Sequence, residues 1–182
     1  KLSLVINDRK ENIGFDGVDT VDVSSHNNIS LGNNTYLSKE IYCIEIPDGD
    51  KDGIIGWEIF KNKIVEINYN LKKIIIKDNL GIVPDGFKSV KAKKIDNIYY
   101  VKIKLTTKDQ QIDGWFDFDT GSDGSISLSN RFAVKYNLIG KMAKVAESFS
   151  VGSSGKEVKE DIVLLPKIEI ANLEFYRTPI TI

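Results

Sequence analysis

Short runs in which Ile, Val and other apolar residues alternate with polar ones fill most of the chain, and Gly, Asn and Asp separate them. Such alternation is typical of half-buried antiparallel strands. Turn signals recur about every ten residues, which favours a barrel or a sandwich. We therefore expect an all-β protein. Its predicted strands are 2–7, 18–23, 41–46, 64–69, 72–77, 89–93, 99–106, 111–119, 143–151, 156–165 and 167–170.

Three short segments are predicted to join neighbouring strands as hairpin turns. The glycines of the third segment can supply the positive φ that such a turn needs. These turns are 70–71, 107–110 and 152–155. Helical signals are few. One turn is predicted at 57–61 and a short helix at 129–136, where Ser129 or Asn130 can act as the N-cap.

The length of 182 residues suits one domain or two small lobes. Residues 78–88 contain Gly81, Pro84 and Gly86 and are predicted to be a linker between 1–77 and 89–182. With 25 basic and 26 acidic residues, the net charge of -1 provides no electrostatic reason to expect nucleic acid as a partner. No apolar run approaches the roughly 20 residues of a membrane-spanning helix.

Metal and redox chemistry have little support in the sequence. Cys43 is the single cysteine, which excludes an intrachain disulfide, and its apolar neighbours predict a buried thiol. An acidic stretch begins at Asp48 like a calcium loop, but its twelfth position is Ile59 rather than a glutamate. We expect no metal and no cofactor.

The most informative segment for chemistry runs from Trp115 to Ser122, Trp-Phe-Asp-Phe-Asp-Thr-Gly-Ser. An aspartate at a strand end, here Asp119, can project into a cleft. Thr120 can hydrogen-bond across to a partner loop, and Gly121 lets another backbone approach closely. Two facing carboxylates share a proton, so that one acts as a base toward water and the other as an acid. Taken alone, Asp-Thr-Gly is typical of an ordinary turn, and half of an acid/base pair is the alternative interpretation.

The segment resembles the hydrophobic-Asp-Thr-Gly-Ser signature of the pepsin/retropepsin-like aspartic proteases. A second segment, 52–60 with Ile54-Ile55-Gly56, is similar to the Ile-Leu-Gly element of that family, and the strands 64–69 and 72–77 that follow it match its closing hairpin. The resemblance implies an acid-protease-like β-barrel with one or two short helices. It also implies that the apolar pair packs behind the catalytic loop.

The two motifs occur in the reverse of the order found in a single retropepsin-like domain. The simplest explanation is a two-lobed, pepsin-like plan, in which 1–77 is the C-terminal half of a first lobe and 89–182 the N-terminal half of a second. Residues 164–182 then resemble the segment that precedes a final Ile-Leu-Gly. A circular permutation, with two chains each supplying one aspartate, is the rival explanation.

The resemblance implies a set of site residues. The catalytic ones are Asp119, Thr120 and Gly121; the substrate-binding ones are Ser122, Asp123 and the tip of a flap hairpin over the substrate, Gly152, Ser153, Ser154 and Gly155. Asp117 departs from the pattern, because the family usually has an apolar residue there. Alternation puts Asp117 and Asp119 on one strand face, about 6–7 Å apart, where Asp117 would repel the catalytic charge and raise the pKa of Asp119, unless a twist of the strand places Asp117 at solvent.

The expected function is therefore aspartic-type peptide hydrolysis, with a peptide or protein as substrate. Because the chain contains one Asp-Thr-Gly, the second aspartate must come from outside it, from a missing N-terminal segment or from a second copy in a homodimer. The alternative is a catalytically inactive, protease-like module that binds peptides or a partner protein. The sequence leaves substrate preference and compartment open.

Overall fold

The computed structural model describes residues 3–14, 16–44, 52–122, 124–152, 154 and 156–182. The chain divides into two compact units. The first contains Lys1–Val83 and Val151–Val158, and the second contains Pro84–Ser150 and Lys159–Ile182. The change of unit after Val83 falls within the segment 78–88. The grouping of Val151–Val158 with the first unit has no counterpart in the sequence analysis.

Antiparallel strands dominate the first unit. A three-stranded sheet has the order β1-β2-β3, and a separate hairpin pairs β4 with β5. A single 3-10 turn, Trp57–Phe60, precedes β4. The strands are β1 (Asp8–Gly14), β2 (Gly17–Leu31), β3 (Asn34–Cys43), β4 (Ile64–Asn68) and β5 (Lys73–Lys77).

The interior of the first unit is small. Val21, Val23 and Ser24 of β2 are its buried side chains among the described residues. A register irregularity between β2 and β3 follows Ser24, and Asn27 stabilises it by donating its side-chain amide to the backbone carbonyls of Ser24 (2.7 Å) and Lys39 (3.2 Å). An amide side chain thus replaces ladder hydrogen bonds that the irregularity removes.

Six strands form the second sheet, in the order β11-β10-β7-β6, with β8 paired to β7 and β9 paired to β10. The pairings of the described residues do not close this sheet into a barrel. One helix, α1 (Asn130–Lys135), follows β8. The strands are β6 (Ala92–Ile95), β7 (Ile98–Thr106), β8 (Gln111–Asp117), β9 (Lys144–Val151), β10 (Glu157–Ile170) and β11 (Leu173–Thr181).

A single hydrophobic core holds the second unit together. Strands β7, β8, β10 and β11 contribute side chains to this core, and residues in and just after the loop and helix that follow β8 complete it. The fully packed members are Ile103, Leu105, Ile112, Leu128, Ala133, Leu138, Val163, Leu165, Ile168 and Ile180. The elements that precede and follow the Asp119 loop are therefore anchored in the same core.

Charged side chains cover the outer surface of the β9–β10 pair. Glu147 accepts from Lys144 (2.5 Å) and Lys159 (2.9 Å), and Lys144 also pairs with Asp161 (2.7 Å). Hydrogen bonds from the two lysines lower the pKa of Glu147 to about 2.

Most of the predicted elements are present, with shifted ends, and the all-β class is confirmed. The strand predicted at 2–7 is wrong for its described part, since strand β1 begins at Asp8. Two predicted strands, 156–165 and 167–170, form the single strand β10, because the sheet accommodates Pro166 between the pairs that β10 makes with β11. Strands β1 and β11 were not predicted.

The prediction that Cys43 is a buried thiol is also wrong. Cys43 ends β3, the edge strand of the first sheet, and is exposed. The apolar run around it indicates a strand but does not decide which strand lies at an edge.

Candidate functional site

Asp119 lies in a loop that begins directly after β8. Strand β8 ends at Asp117, two residues before the predicted end, and the Phe118 N–H still donates to the Tyr99 carbonyl (2.8 Å). The exposed Asp119 carboxylate accepts the Gly121 N–H through Oδ1 (2.8 Å), which is an Asx turn. A Cβ at Gly121 would lie 3.2 Å from that oxygen, so glycine suits this tight turn.

The far end of the loop is tied to β11. The Leu128 N–H donates to the Thr181 carbonyl (2.9 Å), and the Thr181 N–H donates to the Ile126 carbonyl (2.9 Å). Ser127 and Thr181 form an isolated parallel bridge. The hydroxyl of Ser125 also donates to the Pro179 carbonyl. The Asp119 loop is therefore held at both ends by backbone hydrogen bonds to the six-stranded sheet.

Helix α1 begins where the loop ends. Ser129 is its N-cap and accepts the Phe132 N–H (3.3 Å), as the sequence indicates for Ser129 or Asn130. The ring of Phe132 packs against Phe116 of β8, with centroids 5.6 Å apart, and against Tyr136 at 4.7 Å. These contacts hold helix α1 against β8, on either side of the loop that connects them.

Asp117 lies on the face of β8 that points away from the core. Its cross-strand partner is Tyr100 of β7, and alternation places Trp115 and Asp113 on the same face. Burial, and after it the negative charge of Asp119, raise the pKa of Asp117, although the Phe118 N–H opposes the change. Burial and the charge of Asp119 therefore make Asp117 easier to protonate than an ordinary aspartate.

The remaining predicted residues of the loop differ in their contacts. The exposed Thr120 hydroxyl has no hydrogen-bond partner among the described residues. Ser122 Oγ accepts the Gly124 N–H (3.3 Å) and so stabilises the loop itself. Asp123 lies outside the described residues.

The predicted flap tip lies in the first unit, whereas the Asp119 loop lies in the second. Gly152 is buried against Asp16, and both the amide and the hydroxyl of Ser154 donate to the Asp16 carboxylate. Ser153 and Gly155 lie outside the described residues. The sequence analysis missed Asp16, which no local signal distinguishes from an ordinary aspartate in a turn.

The apolar pair of the second motif is not packed. Ile54 is 78% exposed and Ile55 55% exposed, and Gly56 immediately precedes the 3-10 turn. The segment before this motif, 45–51, lies outside the described residues. The 3-10 turn and the β4–β5 hairpin that follow match the sequence prediction in type and position.

Other chemical sites have little support in the part of the chain that the structure describes. That part contains no cluster of three or more His, Cys, Asp or Glu side chains able to hold a metal ion. It also has no helix with the length and apolar character needed to cross a membrane. Hollows of about 240 and 370 Å³ lie beside β4–β5 and beside the β10–β11 turn, and Asp119 lines neither of them.

Comparisons with protein-family models, with curated proteins and with solved structures found no match to this chain. Its function has therefore to be inferred from the geometry of residues 117–129.

Proposed function

We propose that this chain forms part of an aspartic-type endopeptidase in which Asp119 is one of two catalytic carboxylates. The main support is the geometry of the Asp119 loop. Backbone hydrogen bonds at both of its ends attach the loop to the six-stranded sheet, and the Gly121 N–H orients the Asp119 carboxylate. An acid-protease-like barrel is part of the same proposal. Under it, 1–77 is the C-terminal half of a first lobe and 89–182 is the N-terminal half of a second lobe.

The proposed reaction is general acid/base hydrolysis of a peptide bond. Asp119 Oδ1 accepts the Gly121 N–H, while Oδ2 has no hydrogen-bond partner among the described residues. A water held between Oδ2 and a second carboxylate would lose a proton to the ionised carboxylate as it attacks the carbonyl carbon. The protonated carboxyl group would donate its proton to the carbonyl oxygen, which gives a tetrahedral diol. The carboxyl group that took the proton from water would then donate it to the amide nitrogen as the C–N bond breaks, and no covalent bond to the enzyme forms.

Asp117 does not supply the second carboxylate in this proposal. No hydrogen bond joins the Asp117 and Asp119 carboxyl groups among the described residues, and Asp119 Oδ1 accepts the Gly121 N–H instead, whereas two oxygens that share a proton lie within about 3 Å of each other. The partner therefore comes from outside this chain, from an upstream segment or from a second copy. The unpartnered hydroxyl of Thr120 is well suited to bond to such a partner loop.

Peptide cleavage by the whole natural protein between about pH 3 and 6 tests the proposal, since dyads of this kind work while they share a proton. We expect Asp119→Asn to abolish cleavage. The matched control is Asp113→Asn, because Asp113 lies on the same face of β8, exposed and 3.7 Å from Lys102, and this variant should cleave normally. Cleavage by Asp119→Asn at the wild-type rate would refute the proposal.

The source of the second carboxylate can be read from the same assay. If a second copy supplies it, cleavage per mole of chain rises with protein concentration, and mixing wild type with Asp119→Asn lowers the activity further than dilution does. If the same polypeptide supplies it, cleavage per mole is independent of concentration.

Binding without hydrolysis is the second candidate function, and Asp117 is the observation that favours it. The charge of Asp119 helps to raise the pKa of Asp117, so the two carboxyl groups are close enough to interact. When Asp117 is ionised, its charge disfavours the ionised dyad that takes a proton from water. A peptide with a hydroxyl in place of the scissile carbonyl, followed by NMR at the 117–122 amides, separates the two functions. Binding of this peptide, with no cleavage of ordinary peptides by the whole natural protein at any concentration, supports the binding module.

A further inference from the structure

Asp16 accepts three hydrogen bonds on one carboxylate oxygen. It lies in the turn between β1 and β2, and its Oδ2 atom accepts three donors from a segment 138 to 140 residues away. These donors are the Ser154 N–H (2.9 Å), the Ser154 hydroxyl (2.6 Å) and the Lys156 N–H (3.2 Å). All three point at one oxygen from the tip of the β9–β10 hairpin.

The carboxylate fills the space available to it. Its other oxygen, Oδ1, is buried and has no hydrogen-bond partner in the part of the chain that the structure describes. An added Cβ at Gly152 would lie 2.2 Å from the Asp16 carboxyl carbon, so no larger residue fits beside it. A Cβ at Gly17 would lie 3.4 Å from Lys156 Nζ, which places that ammonium group next to the turn.

We propose that Gly152, Ser154 and Lys156 form a carboxylate-binding recess and that Asp16 is its resident, intramolecular ligand. Two backbone N–H groups and a hydroxyl converging on one oxygen are the donor set of an anion cradle, and hydrogen bonds to a charged acceptor are among the stronger ones in proteins. The absence of a side chain at Gly152 provides the room. A nearby ammonium group, that of Lys156, adds positive charge.

The charge state of Asp16 agrees with this assignment. Burial works to raise the pKa of its carboxyl, but the hydrogen bonds from the Ser154 hydroxyl and from the Lys156, Asp16 and Ser154 N–H groups together lower it below its usual value. The recess therefore holds the ionised form. A neutral side chain of similar size would use the same donors less well.

A recess of this kind recognises a small carboxylate, such as an acidic side chain or the free C-terminus of a peptide. Asp16 has to leave before another carboxylate can enter, so Asp16 acts as a competitor built into the chain. This inference uses contacts of the first unit alone. It stands or falls independently of the catalytic role proposed for Asp119.

Hydrogen exchange at the Ser154 and Lys156 amides, measured on the full chain with acetate as the probe, tests the inference. Asp16→Gly removes the carboxylate and leaves its space empty. We expect both amides to exchange at least about tenfold faster, since a tenfold change corresponds to losing roughly one net hydrogen bond to a charged group. Sodium acetate at several hundred millimolar should restore most of the protection, and sodium chloride at the same ionic strength should not.

Two further variants make the result specific. Asp16→Asn keeps the recess filled without a charge, so protection should be partly lost and acetate should have no effect. Asp19→Asn, at an exposed aspartate of the same hairpin that accepts only its neighbouring Thr20 N–H (2.7 Å), should behave like wild type. The amides of Leu105 and Leu165, in the core of the second unit, report whether each variant is folded.

Three outcomes would overturn the inference. The first is wild-type protection at Ser154 and Lys156 in Asp16→Gly. The second is lost protection that acetate and chloride affect equally, which would mean that the recess does not select carboxylates. The third is an equal acetate response in Asp16→Asn, which would place the effect of acetate elsewhere.

Discussion

Replacing Gly152 by alanine should separate the hairpin tip from Asp16 while adding a single methyl group. The backbone at Gly152 is not in the left-handed region, so alanine itself is tolerated there. The methyl carbon would, however, lie 2.2 Å from the Asp16 carboxyl carbon and 2.8 Å from its Cβ. Since non-bonded carbons prefer at least about 3.5 Å, one group must move by roughly 1.3 Å.

A movement of that size cannot preserve all three hydrogen bonds to Asp16. The longest, from the Lys156 N–H, is already 3.2 Å. Overpacking a filled site by one methyl group costs about 1–3 kcal/mol. If the same cost lowers the free energy needed to open the hairpin tip, the Ser154 and Lys156 amides exchange about 5- to 150-fold faster. This range follows because 1.4 kcal/mol corresponds to a factor of about ten.

A double-mutant cycle identifies the cause. In an Asp16→Gly background the steric conflict is absent, so Gly152→Ala should then change the exchange rates by less than about twofold. Gly53→Ala is the matched control, since a Cβ there meets no atom within 4 Å. If Gly152→Ala slows or leaves unchanged the exchange of the Ser154 and Lys156 amides, or if its effect is equal in both backgrounds, then contact with Asp16 does not hold the tip.

Three further predictions concern the second unit. Leu165→Ala should lower the free energy of unfolding by about 2–5 kcal/mol in urea titrations, since Leu165 is 0% exposed; Val145→Ala, at a 51% exposed site, should cost under about 1 kcal/mol, and equal costs would contradict the assigned core. Ser129→Ala should cost about 0.5–2 kcal/mol and speed exchange of the Phe132 amide, whereas an unchanged rate would exclude the cap. Because its two lysine partners lower the pKa of Glu147 from 4.5 to about 2, its contribution to stability is complete above about pH 4.5 and disappears as the pH falls toward 2. Glu147→Gln should lose less stability across that window, and parallel pH profiles would contradict the ion pairs.

Local signals predicted the elements that local contacts build. The sequence predicts Ser129 or Asn130 as the cap from their position before a helical pattern, and Ser129 accepts the N–H of the third residue along. The turn at 70–71 is predicted from its place between two strands, and there the Asn68 side chain accepts the Leu71 N–H (2.9 Å). In both cases the residues that decide the structure lie within four positions of each other.

The elements that the sequence did not predict depend on contacts between residues that lie far apart along the chain. Strand β1 is almost entirely polar, so no alternation reveals it, and it forms because β2 provides a ladder of partners from Val18 to Val23. Asp16 is similar, since its donors are more than 130 residues away. In β10, Pro166 obscures the alternation, but pairing with β11 on both sides keeps the strand continuous.

The contacts around Asp119 also differ in whether the sequence could predict them. The Asx turn at Asp119 depends on Gly121, two residues away, and could be anticipated from the Asp-Thr-Gly sequence. The attachment of the loop to Thr181, 53 residues from Leu128, could not. Sequence motifs therefore identified the catalytic candidate, whereas the structure shows what holds it in place.

The surroundings of Asp119 favour a partner that arrives with a proton. Asp117 and Asp119 already place two carboxyl groups on one strand end, and burial together with the charge of Asp119 raises the pKa of Asp117. A third carboxylate brought to the free Oδ2 of Asp119 would add repulsion unless at least one group were protonated. Joining the two halves of the proposed dyad and sharing a proton between them are then one thermodynamic event. Acidic pH would promote both, and Asp117 would increase the dependence of assembly on pH by adding negative charge wherever it is ionised.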